Sequence, residues 1–248
     1  MKLTIITCTY NSEGYLQECI DSVVNQNLDE NTYEHIFVDA LSTDKTRHII
    51  EKYMKKYNNV KLIERKPKWV YNAMNEWIKQ AKWEYIMCLN SDDYLENDIL
   101  SWYLNFIEDT KKKDLYYWKL RVVKNGKNIC ESNMRILFIK KILFKIFWTN
   151  CLIFHPTVIW KTRVFLELWL FNENYKIASD YEMRIKFMKK KKTMCYYPTI
   201  VSNFRVHWWS LSNSQNWENE ELKIKKNYLS SISYYISISI DKIIKHLM

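Results

Sequence analysis

Apolar and polar positions switch between two periods along the first ninety residues. Residues 2–9 (K-L-T-I-I-T-C-T) form a short β-branched run, and Tyr10-Asn11-Ser12 ends it in turn chemistry. From 15 to 26, Leu16, Cys19, Ile20, Val23 and Val24 recur at helical spacing. A second strand, His35-Ile36-Phe37-Val38, stops on a carboxylate, Asp39. Ser42-Thr43-Asp44 then offers a helix N-cap ahead of Ile49, Ile50, Tyr53 and Met54. Residues 60–63 read as a third strand, 72–81 as a helix, and 84–89 as a fourth strand that halts at Asn90-Ser91-Asp92-Asp93. Such alternation predicts an α/β domain with a mostly parallel central sheet, right-handed crossovers and flanking helices. In sheets of this kind ligands gather outside the carboxyl ends of the strands. Three polar strand ends, Thr9-Tyr10-Asn11, Asp39 and Asp92-Asp93, are therefore expected to converge on one edge.

Two adjacent carboxylates at a strand exit admit two readings. Neighbouring side chains in extended structure diverge, so one can reach a divalent cation while the other reaches a sugar or ribose hydroxyl. Equally, Asn, Ser and Asp are ordinary residues of a solvated turn. Further along, Ala178-Ser179-Asp180 precedes a helical pattern carrying Met183, Ile185, Phe187 and Met188. A helix dipole favours the ionised carboxylate a base needs, yet Asp is also a common N-cap and Glu182 a common first-turn acid. Residues 96–170 are expected to complete the sheet and shape an acceptor side. Beyond Trp217 a charged stretch, 218–226, gives way to alternating Ser, Ile and Tyr, compatible with a helix outside the core or with a strand.

The ordered series T-C-T-Y-N, V-D-A-L-S-T-D-K-T, Y-N-A-M-N, L-N-S-D-D, A-S-D-Y-E and F-R-V-H-W-W-S resembles the family 2 glycosyltransferases with the GT-A fold. The resemblance covers residues 1–215. It implies a nucleotide-binding half over 1–95, an acceptor half over 96–215, and a helical tail over 216–248. By resemblance Thr9, Tyr10, Asn11, Glu13 and Asp39 line a nucleoside pocket, Tyr10 stacking on the base and Asp39 accepting from a uracil-type N–H. Arg65 and Lys66 would meet the base or the phosphates. Asp93 would hold Mg²⁺ or Mn²⁺, Asp92 the ribose or donor sugar, and Asp180 would be the base of a single displacement with inversion. His155 and His207 would lie near the diphosphate or acceptor, although a lone histidine is more often structural. The implied enzyme moves a hexose from a nucleotide sugar, expected to be UDP-linked, to a glycan or lipid-linked acceptor in polysaccharide or cell-envelope synthesis. The competing readings are a nucleotidyltransferase, for which T-C-T-Y-N-S-E lacks a phosphate loop, and an inactive binding relative.

Composition adds a setting. The net charge is +10, with lysine clusters at 111–113, 140–141 and 189–192. Stretch 134–148 mixes Lys and Arg with Ile, Leu and Phe, which fits a helix on an anionic membrane surface or one packed on its own domain with snorkelling lysines. Nucleic acid ranks last as a partner, since no recognition motif accompanies the charge. No run of 18 apolar residues exists, and Cys8, Cys19, Cys88, Cys130, Cys151 and Cys195 are scattered without CxxC pairs. A cytoplasmic enzyme at the inner face of the plasma membrane is expected.

One feature is compositionally odd. The chain has two glycines and eleven tryptophans, where average glycine usage predicts about seventeen. Where the resembling family has glycine, this chain carries Trp69, Trp77, Trp83, Trp169, Trp208 and Trp209, with Trp118 a further case. UGA codons that mean glycine in the source, read as tryptophan, would account for this; the alternative is a Trp-rich protein.

Overall fold

The structure, a computed structural model, describes residues 3–66, 69–110, 113–131, 155–207 and 215–246. The basic stretch 134–148, Cys151, Trp208 and Trp209 lie outside the described residues. The first half follows the predicted order: β1 (Leu3–Thr9), α1 (Leu16–Val24), β2 (Tyr33–Asp39), α2 (Thr46–Met54), β3 (Val60–Glu64), α3 (Val70–Gln80) and β4 (Tyr85–Cys88). β1 pairs in parallel with β2 and with β4, and β2 with β3. Every residue of β2 and β4 is buried, because a parallel strand is covered on both faces; hence their near-continuous apolar runs.

The second half contributes β5 (Tyr94–Leu95), α4 (Ile99–Asp109), β6 (Leu115–Lys124), β7 (Lys127–Glu131), a 3₁₀ turn (His155–Thr157), β8 (Val158–Lys161), α5 (Thr162–Glu167), α6 (Ser179–Lys189), β9 (Met194–Arg205), α7 (Gln215–Tyr228) and α8 (Ser231–His246). The sheet runs β3-β2-β1-β4-β8-β6-β9-β5, with β7 on β6. β8 is antiparallel to β4 and β6, while β6 and β9 are parallel. β5 lies antiparallel to β9, Tyr94 opposite Asn203, so the segment just past Asp92-Asp93 is fastened to the strand that ends at Arg205.

Two apolar layers sandwich the sheet. One packs Ile6, Tyr71, Met74, Ile78, Trp160 and Phe187; the other packs Ile5, Cys19, Met87, Tyr103, Tyr116 and Trp118. Each such side chain contributes about 1.5–3 kcal/mol of transfer free energy. A third cluster joins α7 to α6: Ile224 meets Tyr175, Ala178, Tyr181 and Ile185, with Trp217 and Tyr228 against it. The charged stretch after Trp217 is thus a helix packed on the core rather than a tail beside it. The Ser-Ile alternation beyond it is helical in α8. Among the described residues no helix is long and apolar enough to cross a membrane.

The tryptophans sort by backbone. Trp118 is a core residue, 2% exposed, its ring 4.0 Å from that of Tyr103, so a glycine there would leave a cavity. Trp77 packs, half-buried, against the core, and Lys176 Nζ lies 4.2 Å over the ring of Trp69. Trp83 is half-buried, and its carbonyl accepts from Thr162 Oγ1. Trp169 differs: its φ is +68° and its side chain is 85% exposed. That left-handed backbone favours glycine, and the indole gains little packing in exchange.

Candidate active site

The exits of β1, β2 and β4 do meet on one edge. β1 and β2 end in register, Thr9 opposite Asp39, and their side chains bond there, Thr9 Oγ1 donating to Asp39 Oδ1 at 2.8 Å. Ser42 adds its hydroxyl to Oδ1 (2.6 Å) and its backbone N–H to Oδ2 (2.8 Å). Asp39 is buried, and these donors leave lone-pair capacity at Oδ2 for one further N–H. Asn11, with φ +48°, takes the Thr43 N–H on Oδ1 at 2.9 Å, and Glu13 Oε2 takes the Lys45 N–H at 2.8 Å. These bonds lock the loop after β1 to the loop after β2, leaving the Tyr10 ring exposed above the crevice. Ser12 Oγ lies 3.0 Å from Ser91 Oγ, tying the same loop to the β4 exit. Arg65 pairs with Glu76 beside the Trp77 ring, turned to the α3 side, and Lys66 is exposed.

The adjacent carboxylates occupy unlike surroundings. Asp93 is fully buried; Asn90 Nδ2 donates to Oδ2 (2.7 Å) and the Arg205 N–H to Oδ1 (2.9 Å). Asp92 keeps 36% side-chain exposure, with Oδ2 3.7 Å from His207 Nε2. Arg205 also donates to the Asp92 carbonyl (2.7 Å), pairs with Glu18, and lies over the rings of Tyr15 and Tyr94. Burial pushes both carboxyls above the usual carboxylate range, Asp93 well above it with the Asp92 charge adding to the effect. The expectation that Asp93 holds a cation meets its full burial: it has no solvent-facing surface and each oxygen takes a protein donor, whereas the Asp92 side chain is 36% exposed.

Asp180 opens the first turn of α6. The Tyr71 hydroxyl lies 3.3 Å from Asp180 Oδ1 and 2.5 Å from the Ile177 carbonyl, and Arg184 pairs with Oδ2 at 3.2 Å, one turn on. His155 belongs to this neighbourhood: burial lowers its pKa, and the Asp180 charge opposes that shift. His155 thus stands by Asp180 and His207 by Asp92. A cavity of about 90 Å³ is lined by Tyr15, Val123, Asn125, Gly126, Arg205, Val206 and His207.

Sequence reasoning missed the residues that brace these groups. Tyr71, Asn72 and Asn75 in the Y-N-A-M-N segment share a face of α3 and reach the chain leading to Asp180. Asn75 bonds the Phe171 carbonyl (2.8 Å) and N–H (2.9 Å), while Asn72 Nδ2 donates to Glu173 (2.8 Å). The spacings of Tyr71 and Asn75 (i, i+4) and of Asn72 and Asn75 (i, i+3) were the available signal. Arg205 lies in the F-R-V-H-W-W-S motif, but nothing in the sequence pointed to its bond with Asp93. Among the described residues no group of three or more His, Cys, Asp or Glu could alone hold a metal ion.

A curled α/β sheet with polar strand ends and a carboxylate pair at the fourth exit defines a protein of the GT-A fold class. The chain belongs to glycosyl transferase family 2, whose model matches residues 4–169. A poly(ribitol-phosphate) beta-glucosyltransferase of Bacillus spizizenii is 40% identical over 139 residues, 53% of this chain and 21% of the relative. The chain therefore spans well under two thirds of that relative's length. The crystal structure of S. aureus TarS 1–349 in complex with UDP-GlcNAc superimposes with TM-score 0.73 and 23% identity, covering 90% of this chain and 65% of that one. A Pyrobaculum calidifontis mannosyltransferase, solved with GDP-Man and Mn²⁺, shares the fold at TM-score 0.59 and 16% identity, covering 97% of this chain and 64% of that one.

Proposed function

We propose that this chain transfers a hexose from a UDP-linked donor to a polyol-phosphate, glycan or lipid-linked acceptor in cell-envelope polymer synthesis, with inversion at the anomeric carbon. The observation that carries the reading is the pair of separate carboxylate centres: Asp92 at the β4 exit, and Asp180 bonded to Tyr71 at the start of α3, next to Val70, whose carbonyl meets Cys8 near the β1 exit. In this reading Tyr10 covers the base and Asp39 takes its N–H. The Asp180 carboxylate, oriented by Tyr71 and Arg184, accepts the acceptor hydroxyl proton. The freed oxygen attacks the anomeric carbon, and the UDP leaves from the opposite face. Arg205 and His207 lie on the side where leaving-group charge grows.

A divalent cation, Mg²⁺ or Mn²⁺, fits beside Asp92. An oxygen and an imidazole nitrogen face each other there at 3.7 Å, on a carboxylate that keeps 36% side-chain exposure. We assign the metal-holding role to Asp92 with His207, and to Asp93 the role of bracing the turn through Asn90 and Arg205. Bound there, the cation would neutralise the diphosphate. Free thiols, buried at Cys19 and Cys88 and half-buried at Cys8, are compatible with the cytoplasmic setting expected of an enzyme using nucleotide sugars at the inner membrane face.

The test is Asp180→Asn, assayed by UDP release from UDP-glucose and UDP-GlcNAc with Mn²⁺ and by NMR of the product anomer. UDP binding should persist while turnover falls by about 10² or more. Unchanged turnover, or a product that retains the donor's anomeric configuration, overturns the base assignment and the single displacement.

A further inference from the structure

The segment 172–178, which delivers Asp180, is held from two sides. On one side stand Asn72 and Asn75 of α3, as described above. On the other, a carboxylate from α7 performs an unexpected task. Glu220 Oε1 accepts the Lys176 N–H at 2.8 Å, and Oε2 accepts the N–H groups of Ile177 and Ala178, each at 2.9 Å. These three consecutive amides immediately precede the first turn of α6, where a helix leaves its N–H groups without intrahelical partners. A remote carboxylate thus pins the three residues that lead into the helix carrying Asp180, through charge-assisted bonds near the positive end of its dipole.

The surroundings hold Glu220 in place. Ile224, one turn on, is buried against Tyr175, Ala178, Tyr181 and Ile185. Tyr228, a further turn on, donates to Glu182 Oε1 at 3.0 Å, and Asn227 Nδ2 reaches the Tyr175 hydroxyl at 3.3 Å. Glu182 is itself buried, paired with Lys186 at 2.9 Å. α7 therefore grips α6 through an apolar seam and a polar one, and Glu220 reaches the last three residues before Ser179 and Asp180.

We infer that Glu220 is a positioning residue for the sugar-transfer step: it fixes the backbone at 176–178 so that the Asp180 carboxylate stays between Tyr71 and Arg184, aimed at the acceptor oxygen. The inference rests on the proposed role of Asp180 and assigns α7, beyond the segment matched by the family model, a part in turnover. Small displacements of a catalytic group are costly, since loss of near-attack geometry reduces rate far more than affinity.

Four proteins test it: wild type, Glu220→Ala, Asp180→Asn and the double variant, with Glu220→Gln as an isosteric control. UDP affinity is read by calorimetry, and turnover by UDP release from UDP-GlcNAc with Mn²⁺. Glu220→Ala should lower kcat about tenfold or more with UDP affinity changed less than twofold, because the nucleotide pocket lies at the β1 and β2 exits. Added to Asp180→Asn, it should cost less than about twofold more, since both changes act through one group. Glu220→Gln, which presents a donor where one acceptor oxygen stood, should fall between Ala and wild type; it also carries the test if the Ala variant does not fold. Wild-type turnover in both Glu220 variants, with Asp180→Asn inactive, overturns the positioning role and leaves the base assignment standing. An equal loss from Glu220→Ala in both backgrounds also overturns it. Normal turnover in Asp180→Asn removes the base and this inference together.

Discussion

Substituting Asp92 and Asp93 separately by alanine tests the division of labour between two neighbours. Asp93→Ala deprives Asn90 Nδ2 and the Arg205 N–H of their acceptor in a fully buried site. Each stranded donor costs about 1–3 kcal/mol, hence about 2–6 kcal/mol for the two. Removing a carboxylate that burial already drives toward protonation returns part of this, leaving a net loss of about 3 kcal/mol. For a chain of this size that lowers Tm by about 6–12 °C. Asp92→Ala deletes a carboxylate that is 36% exposed and faces His207 at 3.7 Å; its effect on stability should stay within about 1 kcal/mol. Thermal unfolding measures the first difference, and calorimetric titration with UDP, with and without Mn²⁺, measures the second. The Asp92 variant should keep its Tm and lose the Mn²⁺ dependence of UDP affinity. An Asp93 variant with native Tm and no response to Mn²⁺, beside an Asp92 variant that responds normally, would refute the reassignment and restore Asp93 as the ligand.

Three further outcomes are expected. His35 is buried beside Thr7 and its pKa falls from 6.5 to about 3; the unfolded chain therefore binds the extra proton between those values, and stability drops as pH falls through that window, by about 2 kcal/mol at pH 5. His35→Leu should flatten that acid limb in urea titrations, and an unchanged slope rules the histidine out. Trp169→Gly should raise stability by about 1 kcal/mol by relieving its left-handed backbone, and the gene should read UGA at 69, 77, 83, 169, 208 and 209; UGG at those codons ends the glycine explanation. If 134–148 lies on lipid, binding to anionic vesicles should weaken between low and high salt, whereas no binding at low salt leaves that stretch as ordinary packing.

The first half of the fold was legible because β2 and β4 are buried on both faces, each carrying an apolar run closed by a polar exit, and strand and helix patterns alternate around them. Helix spacing in α1 and α3 was equally plain. What periodicity could not convey was which carboxylate of a pair faces the crevice. Extended geometry says that Asp92 and Asp93 diverge, but their sides are decided by Arg205, 112 residues away from Asp93. The charged stretch around Glu220 reads as a solvated helix face, since three backbone amides waiting in another part of the chain leave no trace in sequence. The Ser-Ile alternation in α8 matched a strand as well as a helix, and it folds as a helix.

The bond from Arg205 to Asp93, with the pairing of β5 on β9, has a consequence for how the molecule is made. During synthesis β1 to β4 emerge first and can pair among themselves, yet the carboxylate turn after β4 lacks its brace until the ribosome has added 112 more residues. At about 5–20 residues per second that interval is about 6–22 s, during which the Asp92-Asp93 turn lacks the Arg205 backbone bond, although β8, the strand beside β4, emerges earlier, at residues 158–161. A nascent chain in that state would depend on a chaperone or on slow early folding to avoid wrong pairing. A message truncated near residue 170 would yield a chain with β1 to β4 and no Arg205 to complete the turn.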